Sequence, residues 1–337
     1  MKKAGVISFA LSFLASLGVG GLTLGDAFVF DKEASGEAGN NSIASWESSS
    51  SATSSSGETN SSNTSDSSSS NTTNSSSTTE PIVNYYKLSK TNKYSTSVTY
   101  HIVDMTLSSI YQLQTHLVTV NGKAGYGNSY KKTLSSQWSD IAATHEPIAA
   151  INGDFAFYNS SMERAGYVIR NGLIYRSSRR SDYNDYDDMV ISYTGSVSSV
   201  NEADTTAEKL KSEGAYQVFD FGPALVNDSS ISIATNEEVD QSMGSNPRTA
   251  FGYLSPLHYL FFVSEGRLSR NSSKDGFTLY EVASILKDYG CSYAYNLDGG
   301  GSSTMLKEGT LMNKTCNDYS SHTTERPISD CIYVCKS

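Results

Sequence analysis

Apolar and polar positions fall into three regimes along the 337 residues. Residues 4–25 are largely apolar and carry no charge. From about Glu47 to Glu80 the chain is almost entirely Ser, Thr and Asn and has nothing to bury. Only from about Pro81 do apolar residues recur at the spacings of strands and helices. That last stretch is long enough for one domain with a substantial core.

Within it, alternation and β-branched residues predict strands in "YSTSVTYHIVDMTL" and "YQLQTHLVTV", the latter ending at the turn signal Asn121-Gly122. "LSSQWSDIAATH" predicts a short helix with Ser135 or Ser136 as its cap. "PIAAINGDFAFY" is a buried strand running into Asn152-Gly153-Asp154. "GYVIRNGLIYR" is a hairpin turning at Asn171-Gly172, and "DMVISYTGSVSSV" a strand pair. "TAEKLKSEG" is a short helix, and "QVFDFGPALVND" a strand, a bend and a strand. "RTAFGYLSPLHYLFFVSEG" is a hairpin turning near Ser255-Pro256. In "TLYEVASILKDYG", Val282, Ile285, Leu286 and Tyr289 follow helical spacing, and Gly290 closes the helix. The strands "SYAYNLD" and "DCIYVCKS" complete the pattern. The expected fold is α+β, with mixed, mostly antiparallel sheets and few helices in a single catalytic domain over residues 86–337. Residues 1–30 form an N-terminal membrane anchor or a signal peptide, and residues 31–85 a disordered Ser/Thr/Asn-rich linker. Lys2 and Lys3 predict that the rest of the chain is exported, either membrane-anchored or secreted after cleavage. The tether would span on the order of 30–35 Å.

Composition narrows the partners. With 25 basic and 35 acidic residues the net charge is −10, and no basic run follows the start, which disfavours nucleic acid. The five histidines follow no metal spacing, so neither metal nor cofactor is expected. The stretch 175–188, "YRSSRRSDYNDYDD", fits no calcium loop and is expected to be a solvated loop. Cys291, Cys316, Cys331 and Cys335 lie in the last fifth of the chain. Export predicts at least one disulfide there, tying the C-terminal strand to the loop around Cys316.

The chemistry concentrates in "NLDGGGSSTM". A strand ends at Leu297 and presents Asp298. Gly299, Gly300 and Gly301 have no Cβ, so a ligand can approach their N–H groups, and Ser302 and Ser303 add hydroxyls. The fitting guest is a phosphate or a polyol. The string is neither a P-loop nor a nucleophile elbow. "INGDF" places Asn152 and Asp154 at another strand tip, and "SNPRTAFGY" places Arg248 before a third.

These stretches, with "AGYVIRNGLIY", "FGPALVND", "EGRLSRNSSKDGFTLYEVASILKDYGC" and "RPISDCIYV", make the chain resemble the phosphodiester glycosidase family over roughly residues 95–335. The resemblance implies hydrolysis between a sugar anomeric carbon and a phosphodiester. It implies Asp298 and Asp154 as catalytic carboxylates and Arg248 as the grip on the phosphate. Gly299, Gly300, Gly301, Ser302 and Ser303 would complete an anion cradle. Asn152 and Asn296 would orient carboxylates or sugar, and Glu265 and Arg267 would line the cleft. The partner implied is a phosphorylated glycan or sugar-phosphodiester. The alternative is a non-catalytic surface module that binds phosphorylated glycan.

Overall fold

The computed structural model describes residues 32–33, 79–154, 166–179, 187–234, 244–270 and 274–336. The 1–30 anchor or signal, nearly all of the 31–85 linker and the 180–186 part of the expected solvated loop lie outside these residues. Among the described residues no helix is long and apolar enough to cross a membrane.

The expected α+β architecture is present, and every pairing between described strands is antiparallel. The largest sheet has seven strands, in the order Ser230–Ile231, Ala224–Asn227, Tyr293–Leu297, Thr249–Ser255, His258–Ser264, Ser97–Thr106 and Ile82–Thr91. A second, of five, runs Thr310–Leu311, Met305–Lys307, Pro147–Asn152, Asp330–Cys335 and Leu113–Leu117. The third, also of five, runs Val197–Val200, Asp188–Ser192, Ala215–Phe219, Val168–Arg170 and Leu173–Arg176.

A two-stranded ribbon pairs Lys32–Glu33 with Gly125–Tyr126. Strand periodicity explains how the three larger sheets fit together. Side chains alternate between faces, so each central strand supplies two cores. Val103, Met105, Phe251, Tyr295 and Leu297 of the large sheet meet Ala149, Ile151, Ile332 and Val334 of the second and Met189, Ile191 and Phe219 of the third. The intervening residues face outward onto helices. Ile102, Ala250, Phe262 and Ala294 pack beneath the helix Leu279–Asp288. Ala150, Cys331 and Tyr333 pack with the helix Leu134–Ala142, and Ile169, Val190 and Val218 with the helix Ala207–Ser212. Strands buried on both faces read as continuous apolar runs, as "YLFFV" and "CIYV" do.

Local chemistry sets the element ends. Thr278 and Glu281 form a capping box at one helix start. Thr133, rather than Ser135 or Ser136, caps the helix Leu134–Ala142 by accepting from the Ser136 amide. Asn171 and Gly172 take φ of 50° and 76°, as a type I′ hairpin turn requires. The edge strand Ile82–Thr91 takes in the last residues of the stretch assigned to the linker, and it pairs along its whole length with Ser97–Thr106. Its sequence, with two lysines and an exposed Ile82, carries the polarity of a solvent-facing edge.

Arg176 and Asp188, at the two ends of the expected solvated loop, are buried strand residues, while Ser177, Ser178 and Arg179 within it are exposed. The disulfide expectation fails. All four cysteines are free thiols. Cys331 and Cys335 stand four residues apart on one strand, about 13 Å in an extended chain, far beyond disulfide reach. Cys291 sits in the separate core beneath the helix Leu279–Asp288, and Cys316 lies in a partly exposed loop.

Candidate functional site

The site forms where strands from the three sheets end together. Pro147–Asn152 and Tyr293–Leu297 finish side by side, and the Asp298 amide donates to the Gly153 carbonyl at 3.3 Å. Asp330 opens its strand beside them, its carbonyl accepting from the Gly153 amide at 3.0 Å. A narrow cleft, with room for about one water molecule, lies over this junction, lined by Gly153, Asp298, Ser302 and the run Arg326–Asp330.

Asn152 holds the junction together. Its amide donates to the carbonyls of Asp298 at 2.6 Å and Gly153 at 3.1 Å. Its carbonyl oxygen accepts from the Thr249 hydroxyl at 2.8 Å and the Thr304 amide at 3.2 Å. Ser303 lies 3.2 Å from the same Thr249 hydroxyl. Asn152 and Ser303 therefore fix the frame on which Asp298 stands.

Asp298 lies on the wall of the cleft and is largely buried. Burial pushes its carboxyl up to about 6, opposed by the Ser302 hydroxyl, Arg326 and the Gly299 amide. The three glycines have different causes. A Cβ on Gly299 would come within 2.9 Å of the Pro247 carbonyl oxygen. Gly300 adopts a φ of 59° in the left-handed region. A Cβ on Gly301 would lie 2.5 Å from both Arg326 Nη2 and Asn317 Oδ1.

The anion cradle therefore differs from the expected one. The Gly300 amide donates to the Pro247 carbonyl at 2.9 Å, and the amides of Ser302 and Ser303 close the turn onto Gly299 and Gly300. What faces the cleft is the Ser302 hydroxyl, to which Arg326 Nη1 donates at 3.3 Å. Arg267 lies over Gly300, with Nη1 3.2 Å from where a Cβ would stand, and its Nε donates to Asn246 at 2.6 Å.

Other expected residues point elsewhere. The buried Arg248 guanidinium donates to the carbonyls of Phe277 at 3.0 Å and Gly244 at 2.7 Å, so it organises main chain and is not part of the cleft wall. Asn296 donates to the Gly222 carbonyl at 2.8 Å. Glu265 accepts from the Lys314 amide at 3.2 Å and lies 3.2 Å from His101, whose other ring nitrogen is 2.8 Å from the Tyr85 hydroxyl. Burial opposes its ionisation, but the bonds from His101 and Lys314 outweigh that and hold the carboxyl low. Asp154 is buried behind the cleft, with Oδ1 accepting from Arg170 at 2.7 Å and Oδ2 from the Asp220 amide at 2.8 Å.

Arg170, Arg326 and Asp330 were missed by residue-level reasoning. Arg170 is fully buried and salt-bridged to both Asp154 and Asp330. Burial raises both carboxyls, and the guanidinium pulls both back. Asp330 carried the same signal that picked out Asp298 and Asp154, an acid at the tip of an apolar strand.

Comparison with known proteins bears on the fold and the family. The solved catalytic domain of zebrafish N-acetylglucosamine-1-phosphodiester alpha-N-acetylglucosaminidase, auto-inhibited by its pro-peptide, is similar in fold, with a TM-score of 0.58. Its identity is 20%, covering 78% of this chain and 85% of that one. The SPbeta prophage-derived uncharacterized protein YomE of Bacillus subtilis (strain 168) is 28% identical over 209 residues, 62% of this chain. The match spans only 30% of that relative's length. The family model described as phosphodiester glycosidase matches residues 145–335, more than half of the chain, and the chain belongs to that family.

Proposed function

We propose that this domain is an exported hydrolase that cleaves the bond between a sugar anomeric carbon and a phosphodiester in a cell-surface or exopolysaccharide substrate. The observation that carries it is the placement of Asp298, a buried carboxyl raised to about 6, beside the Ser302 hydroxyl and Arg326 on the wall of a narrow cleft. The name of the zebrafish relative describes a sugar–phosphodiester bond of this kind. A phosphate monoester is a good leaving group and needs little protonation. A guanidinium that neutralises its growing charge supplies much of the assistance. Arg326 and Ser302 take that role, and a partly protonated Asp298 donates to the bridging oxygen as the bond breaks. The polar tether expected upstream would let the domain sample a surface polymer.

The test is incubation of the full chain with a panel of sugar-1-phosphodiesters, UDP-sugars and purified wall polymer, reading released sugar by mass. Release of free sugar supports the proposal. A panel that is bound but not cleaved would favour the non-catalytic glycan-binding module.

A further inference from the structure

We propose that Asp330 is the second catalytic carboxylate, its Oδ2 locked by Arg170 and its Oδ1 left for the reaction, and that Asp154 serves as a positioning residue behind it. This rests on the hydrolase reading above. The two oxygens of Asp330 are treated differently. Oδ2 accepts from Arg170 Nε at 3.1 Å and Nη2 at 2.9 Å. Oδ1 is buried without a well-formed hydrogen bond, although the Asp154 amide also lies toward this carboxylate and favours its ionised form. A buried carboxylate oxygen without a donor is costly, and such groups persist where a ligand or catalytic step uses them. Asp330 lies on the cleft wall with Asp298, so its open oxygen has a place to act.

Gly153 supplies an independent observation. Its backbone is not in the left-handed region, so conformation does not require glycine there. A Cβ would overlap the Asp330 carboxylate. The chain keeps its backbone bare under this one side chain.

Asp154 cannot play the same part. Both its oxygens already accept hydrogen bonds, and it does not line the cleft. What it does is hold Arg170. That guanidinium also donates to the carbonyls of Ile169 and Val218 and stacks 4.1 Å over the Phe219 ring. Fixed on several sides, Arg170 gives the Asp330 carboxylate one orientation.

The step balances simply. A water oxygen bonds to the anomeric carbon while the bond from that carbon to the phosphate oxygen breaks. The bonding pair leaves on the phosphate oxygen, which takes the proton of Asp298 where that carboxyl is protonated, and Asp298 recovers a proton from solvent. Asp330 Oδ1 takes the proton that the water loses and later returns it to solvent. Asp298, Ser302 and Arg326 face the departing phosphate. Two carboxyls flanking a scissile glycosidic bond are the usual requirement for this chemistry.

The test uses the full chain and the panel member that the wild type cleaves fastest. Asp330→Asn is expected to lower kcat roughly 10²–10⁴-fold, with KM within about threefold. In Asp330→Ala, added formate should restore at least about tenfold of the loss, because a small carboxylate can occupy the vacated space. Asp154→Asn should lower thermal stability and rate, with no response to formate. A folded Asp330→Asn protein within about threefold of wild-type kcat overturns the proposal, as does an Asp330→Ala protein deaf to formate. If neither variant folds, Gly153→Ala decides: lost kcat at constant KM supports the assignment, and full turnover in a folded protein overturns it. A wild type that cleaves nothing on the panel brings down the hydrolase reading and this role together.

Discussion

The side-chain amide of Asn152 donates to the main-chain carbonyl of Asp298 at 2.6 Å, joining two strand tips that lie 146 residues apart in sequence. The same side chain accepts from Thr249 and from the Thr304 amide. Asn152→Ala would leave several buried groups without partners, each costing about 1–3 kcal/mol. The expected result is a destabilisation of about 3 kcal/mol, read as a melting temperature lower by roughly 5–10 °C. Turnover should fall more steeply than occupancy alone explains, because Asp298 loses its tether. A variant that melts like the wild type would show that the junction is held by other contacts.

Two arginines should separate cleanly. Arg326 lies on the cleft wall beside Ser302 and Gly301. Arg326→Ala should raise KM for a sugar phosphodiester about tenfold or more and weaken its salt dependence, with little change in melting temperature. Arg248 binds the Phe277 and Gly244 carbonyls inside the protein. Arg248→Met should instead cost on the order of 3 kcal/mol of stability by orphaning those acceptors. If Arg248→Met left stability intact and abolished substrate binding, the phosphate grip would belong to Arg248 after all.

The free cysteines predict indifference to reductant. Cys291, Cys331 and Cys335 are buried in different places, and Cys316 is only partly covered. Burial pushes the Cys291 thiol up to about 12 and the Cys335 thiol up to about 11, so neither is nucleophilic near neutrality. Melting with and without dithiothreitol should agree within about 1 °C, since removing a native disulfide typically costs 2–5 kcal/mol. Alkylation of the native protein should mark Cys316 first, and denaturation should reveal four thiols by mass. A mass short by two hydrogens would contradict the structure.

What could be seen in the sequence divides along physical lines. Asp298 and its glycines were legible because an acid and three bare residues directly after an apolar strand have few local explanations. The faces of the sheets were legible because alternation is local: Ala150 and Ile151 go to different cores for the reason their parity gives. The surroundings of Arg248 were not legible because its destination is tertiary. Nothing in "NPRTA" says that the carbonyls of Phe277 and Gly244 will surround the guanidinium. Arg170 was hidden for the same reason. It stands one residue before a hairpin turn, where a charge normally meets water, yet it is fully buried between two aspartates. The disulfide expectation failed because it came from compartment and count, whereas bonding depends on where each Sγ lands.

Asp298 should trade stability for chemistry. Its folded carboxyl is raised to about 6 by burial, from an ordinary value of 3.8, with Ser302 and Arg326 opposing. A raised carboxyl favours the folded state fully below its unfolded value. That advantage is lost as pH climbs through about 6, because the folded state must then hold a buried charge. The loss amounts to on the order of 2–3 kcal/mol. Asp298→Asn keeps the shape and removes the ionisation. The variant should therefore match the wild type near pH 4 and melt roughly 5 °C higher at pH 7.5, less whatever the weakened bond to Ser302 costs. Asp154 and Asp330 are present in both proteins, so the difference between the two melting curves reports Asp298 together with its repulsion from Asp330. The same substitution should lower kcat roughly 10²–10⁴-fold and remove the ionisation near 6 from the kcat/KM profile. An Asp298→Asn protein that is no more stable than wild type at pH 7.5, or one that keeps full turnover, would show that this carboxyl is neither strained by burial nor used in the reaction.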